Sequence, residues 1–94
     1  MKYGAHSPLR HANEEELAMI EGLRSEVEAR TEGYSEWSVL GLTTQVVAGT
    51  NFWVKIQTDR GIIHVKIFRP LPHTGNPCHV TEVNIGQTVD SPFF

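Results

Sequence analysis

The sequence predicts an α+β domain in which a single N-terminal α-helix packs across an antiparallel β-sheet meander. Three observations carry this prediction. Leu17, Ile20, Leu23 and Val27 recur at spacings of three and four, which sets them on one face of a helix, with Met19 at its margin. Phe52, Val54 and Ile56 alternate with Trp53, Lys55 and Gln57, and Ile63, Val65 and Ile67 alternate with His64, Lys66 and Phe68, the pattern of strands buried on one face. Asp59-Arg60-Gly61 stands between these two runs as a turn, so they pair as neighbours and leave one apolar sheet face for the helix to cover. At 94 residues the chain allows one domain, 1–94.

Residues 1–12 have no apolar period and contain Gly4 and Pro8, so they read as an extended, mobile arm whose most flexible point is Gly4. Asn13 can cap a helix, Glu16 can reach back to it as in a capping box, and Glu14-Glu15-Glu16 favour the positive end of the helix dipole. The helix this starts is about 17 residues long, with Gly22 opposite the apolar stripe and Thr31-Glu32-Gly33 as its stop. Residues 37–46 form the first strand-like run, with Leu40, Leu42, Thr44 and Val46 on one face. After the two alternating runs, the Pro-containing loop 70–77 halts pairing because Pro cannot donate to a ladder. The fourth run, 78–85, alternates poorly: Val80 and Val83 differ in parity, which predicts a bulge or a weakly specified register. The tail beyond Gly86 offers little beyond Phe93-Phe94.

Between the first and second runs lies Gln45-Val46-Val47-Ala48-Gly49, which does not read as an ordinary turn. Turn tips favour Gly, Asn, Asp, Ser and Pro, yet this one carries two β-branched residues and no charge, and only Gly49 adopts a positive φ without penalty. Such residues are either buried by the fold or held out for a partner to bury. Consecutive antiparallel strands reverse direction, so this tip and the loop at Leu71-Pro72-His73 fall at the same end of the sheet, roughly 10 Å apart. The helix runs back about 26 Å from the start of the first strand, which returns its N-terminus, and the arm with Tyr3 and Gly4, to that same end. Three uncharged segments on one edge make a wedge suited to a long apolar cleft in another protein.

Other functions fit poorly. A net charge of −3 with scattered Lys and Arg gives no phosphate-binding surface, so no nucleic-acid partner is expected. No apolar run approaches the roughly 20 residues of a membrane span, and the N-terminus lacks a signal-peptide core; with the lone Cys78 this predicts a reducing, cytoplasmic location and no membrane partner. No cofactor, metal site or catalytic residue is expected. Cys78 and His79 are strand neighbours whose side chains point to opposite faces, His73, Cys78 and His79 match no zinc spacing, and the eight glycines are dispersed rather than gathered in a phosphate loop.

Gln45-Val46-Val47-Ala48-Gly49-Thr50-Asn51 resembles the first inhibitory hairpin of the cystatins, and the chain as a whole is similar to the stefins, their single-domain, disulfide-free branch. Gly4 stands where that family carries its N-terminal glycine, and Phe68 with Leu71-Pro72-His73 resembles its second loop; residues 81–86 and the tail depart from it. The resemblance implies a reversible, tight-binding inhibitor of papain-like, cathepsin-type cysteine proteases. Tyr3 and Gly4 would fill the non-primed side of the protease cleft, and Gln45, Val46, Val47, Ala48, Gly49, Leu71, Pro72 and His73 the primed side. The alternative is a cystatin-fold interaction module without inhibition. The expected state is a monomer, with a domain-swapped dimer accessible if the hairpin opens into one long strand across residues 37–58.

Overall fold

A computed structural model describes residues 9–93. The chain forms α1 (Glu14–Gly22), α2 (Arg24–Arg30), β1 (Trp37–Val47), β2 (Gly49–Thr58), β3 (Gly61–Arg69), a short 3-10 turn (Pro72–Thr74) and β4 (His79–Gln87). The strands make one antiparallel sheet in the order β1-β2-β3-β4, so the α+β meander expected from the patterning is what folds.

The capping box forms as expected. Asn13 Oδ1 accepts from the Glu16 backbone N–H at 2.8 Å and Glu16 Oε1 accepts from the Asn13 N–H at 3.0 Å, satisfying two donors that have no partner inside the helix. The helix is nevertheless two segments rather than one. After Gly22, Leu23 takes φ −101° and ψ 0°, and its N–H is shared between the carbonyls of Met19 (3.2 Å) and Ile20 (3.1 Å) before helical bonding resumes with Val27 N–H to Leu23 C=O at 3.1 Å. Glycine is the weakest helix former here, and the helix is interrupted at Leu23, just after it.

The buried face of the helix follows the expected stripe at Ile20, Leu23 and Val27 and departs from it at Leu17. Glu16, Ile20 and Val27 are buried, with Leu23 and Met19 packed beside the core, while Leu17 is 42 % exposed. Leu17 lies about 100° around the helix from Glu16, and Glu16 can take the inward place because a guanidinium neutralises it. Arg10 Nη1 and Nη2 donate to Glu16 Oε1 and Oε2, both at 2.7 Å. The Arg10 hydrogen bonds, first among the causes, hold the Glu16 carboxyl below the usual carboxylate range.

The same arginine meets the sheet through its backbone. Arg10 and Leu42 exchange backbone hydrogen bonds of 2.9 and 2.8 Å, which pair residue 10 of the expected arm with the edge of β1. Tyr3 and Gly4 lie outside the described residues.

In β1 the register shifts between Val39 and Gly41, leaving Leu40 as a bulge that is 37 % exposed. Leu40 therefore does not share the inner face with Leu42, which is fully buried; Trp37 and Val39 take that role before the bulge. Val46, grouped on that face from its parity, is 62 % exposed beyond the end of the core. The bulge expected in the fourth strand is present, since Glu82 pairs with Lys66 but Val80 with Ile67, and the extra residue brings both Val80 and Val83 to the core. On the outer edge of β4, the Val80 N–H donates to Glu26 Oε1 at 3.2 Å and its carbonyl accepts from Arg30 Nη2 at 2.8 Å. Side chains of α2 thus occupy backbone groups of a strand that has no neighbour beyond it among the described residues.

Candidate functional site

The β1–β2 hairpin is tight because its strands pair to the last residue: Val46 opposes Thr50, Val47 opposes Gly49, and Ala48 alone makes the tip. Gly49 permits this. Its φ is +125°, and a Cβ there would sit 2.6 Å from the Arg69 carbonyl oxygen and 2.8 Å from Phe68 Cζ. The missing side chain lets the hairpin base press onto the end of β3, so the position is both conformational and steric. Val46 and Ala48 are exposed and Val47 half-buried. One turn of ladder further in, Gln45 and Asn51 form a cross-strand pair, with Asn51 Nδ2 donating to Gln45 Oε1 at 3.5 Å.

The second loop leaves β3 beside that hairpin, because Thr50 of β2 pairs with Arg69 of β3. It is folded: Thr74 bonds the Leu71 carbonyl through its backbone N–H (3.1 Å) and its hydroxyl (2.8 Å), and Gly75 closes the turn with φ 72°. Leu71 is held out at 39 % exposure, and Pro72 and His73 are exposed with it. Between the two loops runs a cleft of about 340 Å3, lined by Gly49, Thr50, Arg69, Pro70, Leu71 and Pro72 with Glu15 of α1 at its side. The first hairpin, the second loop and the start of the helix therefore meet at one end of the sheet.

Of the residues singled out from the sequence, the structure gathers Val46, Val47, Ala48, Gly49, Leu71, Pro72 and His73 at this edge, with Gln45 behind them in the ladder. The sequence marks Glu15 only as part of a helix start and Thr50 only within the hairpin match, and it does not single out Arg69. Arg69 carries its own signal only in three dimensions, where its guanidinium lies 4.9 Å from the Phe52 ring centroid and stays beside the cleft. Chemistry at the edge is sparse. It offers backbone, aliphatic surface and two charges, and among the described residues no three His, Cys, Asp or Glu side chains converge to hold a metal ion.

Over 70 residues, 72 % of this chain and 71 % of the relative, the sequence is 36 % identical to cystatin-A of Bos taurus. The chain belongs to the stefin family. It is also 29 % identical to cystatin-B of Ovis aries over 98 aligned positions covering all of both chains, and 30 % identical to cystatin-B of Homo sapiens over 79 residues, 82 % of this chain and 81 % of that one. No family model matches the chain. As a stefin the protein belongs to a family of thiol protease inhibitors, not of enzymes.

Proposed function

We propose that this stefin is a reversible, tight-binding inhibitor of papain-like cysteine proteases of the cathepsin type, acting in the cytoplasm by blocking the protease cleft without chemistry. The single observation that carries the reading is the juxtaposition of two ordered loops that hold Val46 and Leu71 out of the fold at 62 % and 39 % exposure. A soluble domain gains nothing from presenting aliphatic side chains on rigid tips unless a partner buries them. Both loops are held by backbone pairing and short hydrogen bonds, so little ordering entropy remains to oppose docking.

The arm completes the wedge by reach. Arg10 is anchored opposite Leu42, five residues from Val47, a distance of about 16 Å along a strand. The six residues from Arg10 back to Gly4 span up to about 20 Å when extended, which is enough to bring Tyr3 and Gly4 level with the hairpin tip. Tyr3 and Gly4 would then fill the non-primed subsites, with Val46-Val47-Ala48 and Leu71-Pro72-His73 on the primed side. No inhibitor peptide bond is presented to the catalytic Cys in a cleavable pose. Burial of about 800 Å2 per partner is the size of tight protease–inhibitor interfaces, where nanomolar binding corresponds to about 12 kcal/mol.

Titration of active-site-counted papain tests this. The expected result is loss of activity at one equivalent, with full-length inhibitor recovered after dissociation. Absence of inhibition at micromolar protein would contradict the reading and leave a stefin-fold interaction module in its place.

A further inference from the structure

The outer face of the sheet, turned away from the helix, buries two groups that a solvated face would leave in water. Lys55 of β2 and His64 of β3 are direct cross-strand partners and are only 5 % and 3 % exposed. The tail after β4 covers them. Lys55 Nζ donates to the carbonyl oxygens of Val89 and Ser91, the second at 3.2 Å, and the Phe93 ring lies 4.5 Å from the His64 ring centroid and 5.4 Å from Lys55 Nζ. A local turn shapes the tail for this, with the Thr88 N–H donating to Ser91 Oγ at 2.8 Å and the Ser91 N–H to the Thr88 carbonyl at 3.1 Å.

His64 is the weak point of the arrangement. Its Nε2 is buried without a hydrogen-bond partner among the described residues. A proton there would create a buried donor with no acceptor and a positive charge beside the ammonium that grips the tail. We propose that residues 88–93 form a strap over the outer face, latched by Lys55 and Phe93, that lets go when His64 takes up a proton.

The charged groups around His64 do not offset that proton. Lys55 faces it from β2, Lys66 lies two residues along β3 on the same face, and neutral Asn84 opposes it on β4. Glu82 opposes Lys66 rather than His64, and Asp90 of the strap is exposed to solvent. Burial first, and Lys55 second, hold the His64 pKa below the ordinary histidine value. The strapped state therefore binds fewer protons than the open one; strapping is fully favoured above the ordinary histidine range and weakens as pH falls through and below it.

Backbone NMR order parameters for residues 88–93 in the full chain test the proposal between about pH 8 and about pH 5. The strap is expected to be rigid at the upper pH and to loosen at the lower one while β2 and β3 stay ordered. His64→Gln, which cannot take the proton, is expected to stay strapped throughout. Phe93→Ala, which uncovers the imidazole, is expected to raise the His64 titration midpoint toward the ordinary value. Equal order at both pH values in the unmodified chain, loosening that persists in His64→Gln, or an unmoved His64 midpoint in Phe93→Ala would each overturn it. The last comparison decides the matter even if His64→Gln does not fold.

Discussion

At the scale of single residues, the proposed site depends on what Gly49 lacks and what Val47 presents, and the start of the helix on what Glu16 gains from Arg10. Gly49→Ala combines a left-handed backbone with a Cβ driven against a carbonyl oxygen, so it should destabilise the protein by about 2 kcal/mol or more, read as a lowered midpoint in urea. Val47→Asp should behave in the opposite sense. Val47 is only half-buried in the free protein, so thermal stability should hardly change, while an unpaired carboxylate forced into a dry interface should weaken protease binding by about 2–4 kcal/mol, measured as the inhibition constant. An unchanged constant would remove the first hairpin from the site. Arg10→Met leaves Glu16 buried without its guanidinium and should cost about 3 kcal/mol at neutral pH. Because the Glu16 pKa is depressed in the folded state, the stability it contributes is present above the unfolded carboxyl value and is lost as pH falls through the folded one. Acid denaturation curves of the two proteins should therefore converge at low pH.

At the scale of elements, the bulges in the sheet and the Arg10–Glu16 pair at the helix start decide which side chains reach the core. Gly22 has nothing within 4 Å of where a Cβ would stand, so Gly22→Ala should stabilise the protein by about 0.5–1 kcal/mol through helix propensity, checked by thermal unfolding. This element also shows how far sequence reading goes. The capping box and the alternation in β2 and β3 were legible because each depends on near neighbours in the chain. Leu17 was misplaced because a rule that puts apolar residues inside cannot see that Arg10, six positions earlier, makes Glu16 buriable. Leu40 was misplaced because a bulge shifts parity without altering residue type, whereas in β4 the parity conflict between Val80 and Val83 announced one. The two loops could be put at one end of the sheet from strand reversal alone, but the cleft between them depends on Thr50 and Arg69, whose register no pattern reveals. The tail was opaque for a related reason: its grip on Lys55 uses backbone carbonyls, which leave no periodic trace.

At the scale of the whole molecule, the proposed recognition edge lies at one end of the sheet and the proposed strap on its outer face, so inhibition and strap release should be separable. The hairpin proposed to carry recognition would also be the hinge of the expected domain swap. Opening it would join β1 and β2 into one strand and let the helix and β1 pack on the remaining strands of a second copy. Among the described residues no non-glycine residue has a positive φ, so Val46 and Val47 carry no such strain, and the swap should be slow at room temperature and appear only near the melting midpoint. Gel filtration after heating should show a dimer without inhibitory activity, since it has no first hairpin; a heat-formed dimer with full inhibition per chain would contradict this. The central claim, that a single edge built from the first hairpin and the second loop does the blocking, is tested most directly by amide hydrogen exchange of the protein with and without inactivated papain. Protection is expected at residues 45–49 and 71–75 and in the arm, with exchange in 88–93 unchanged. Unaltered exchange at both loops in a saturated complex, with protection elsewhere on the surface, would contradict it.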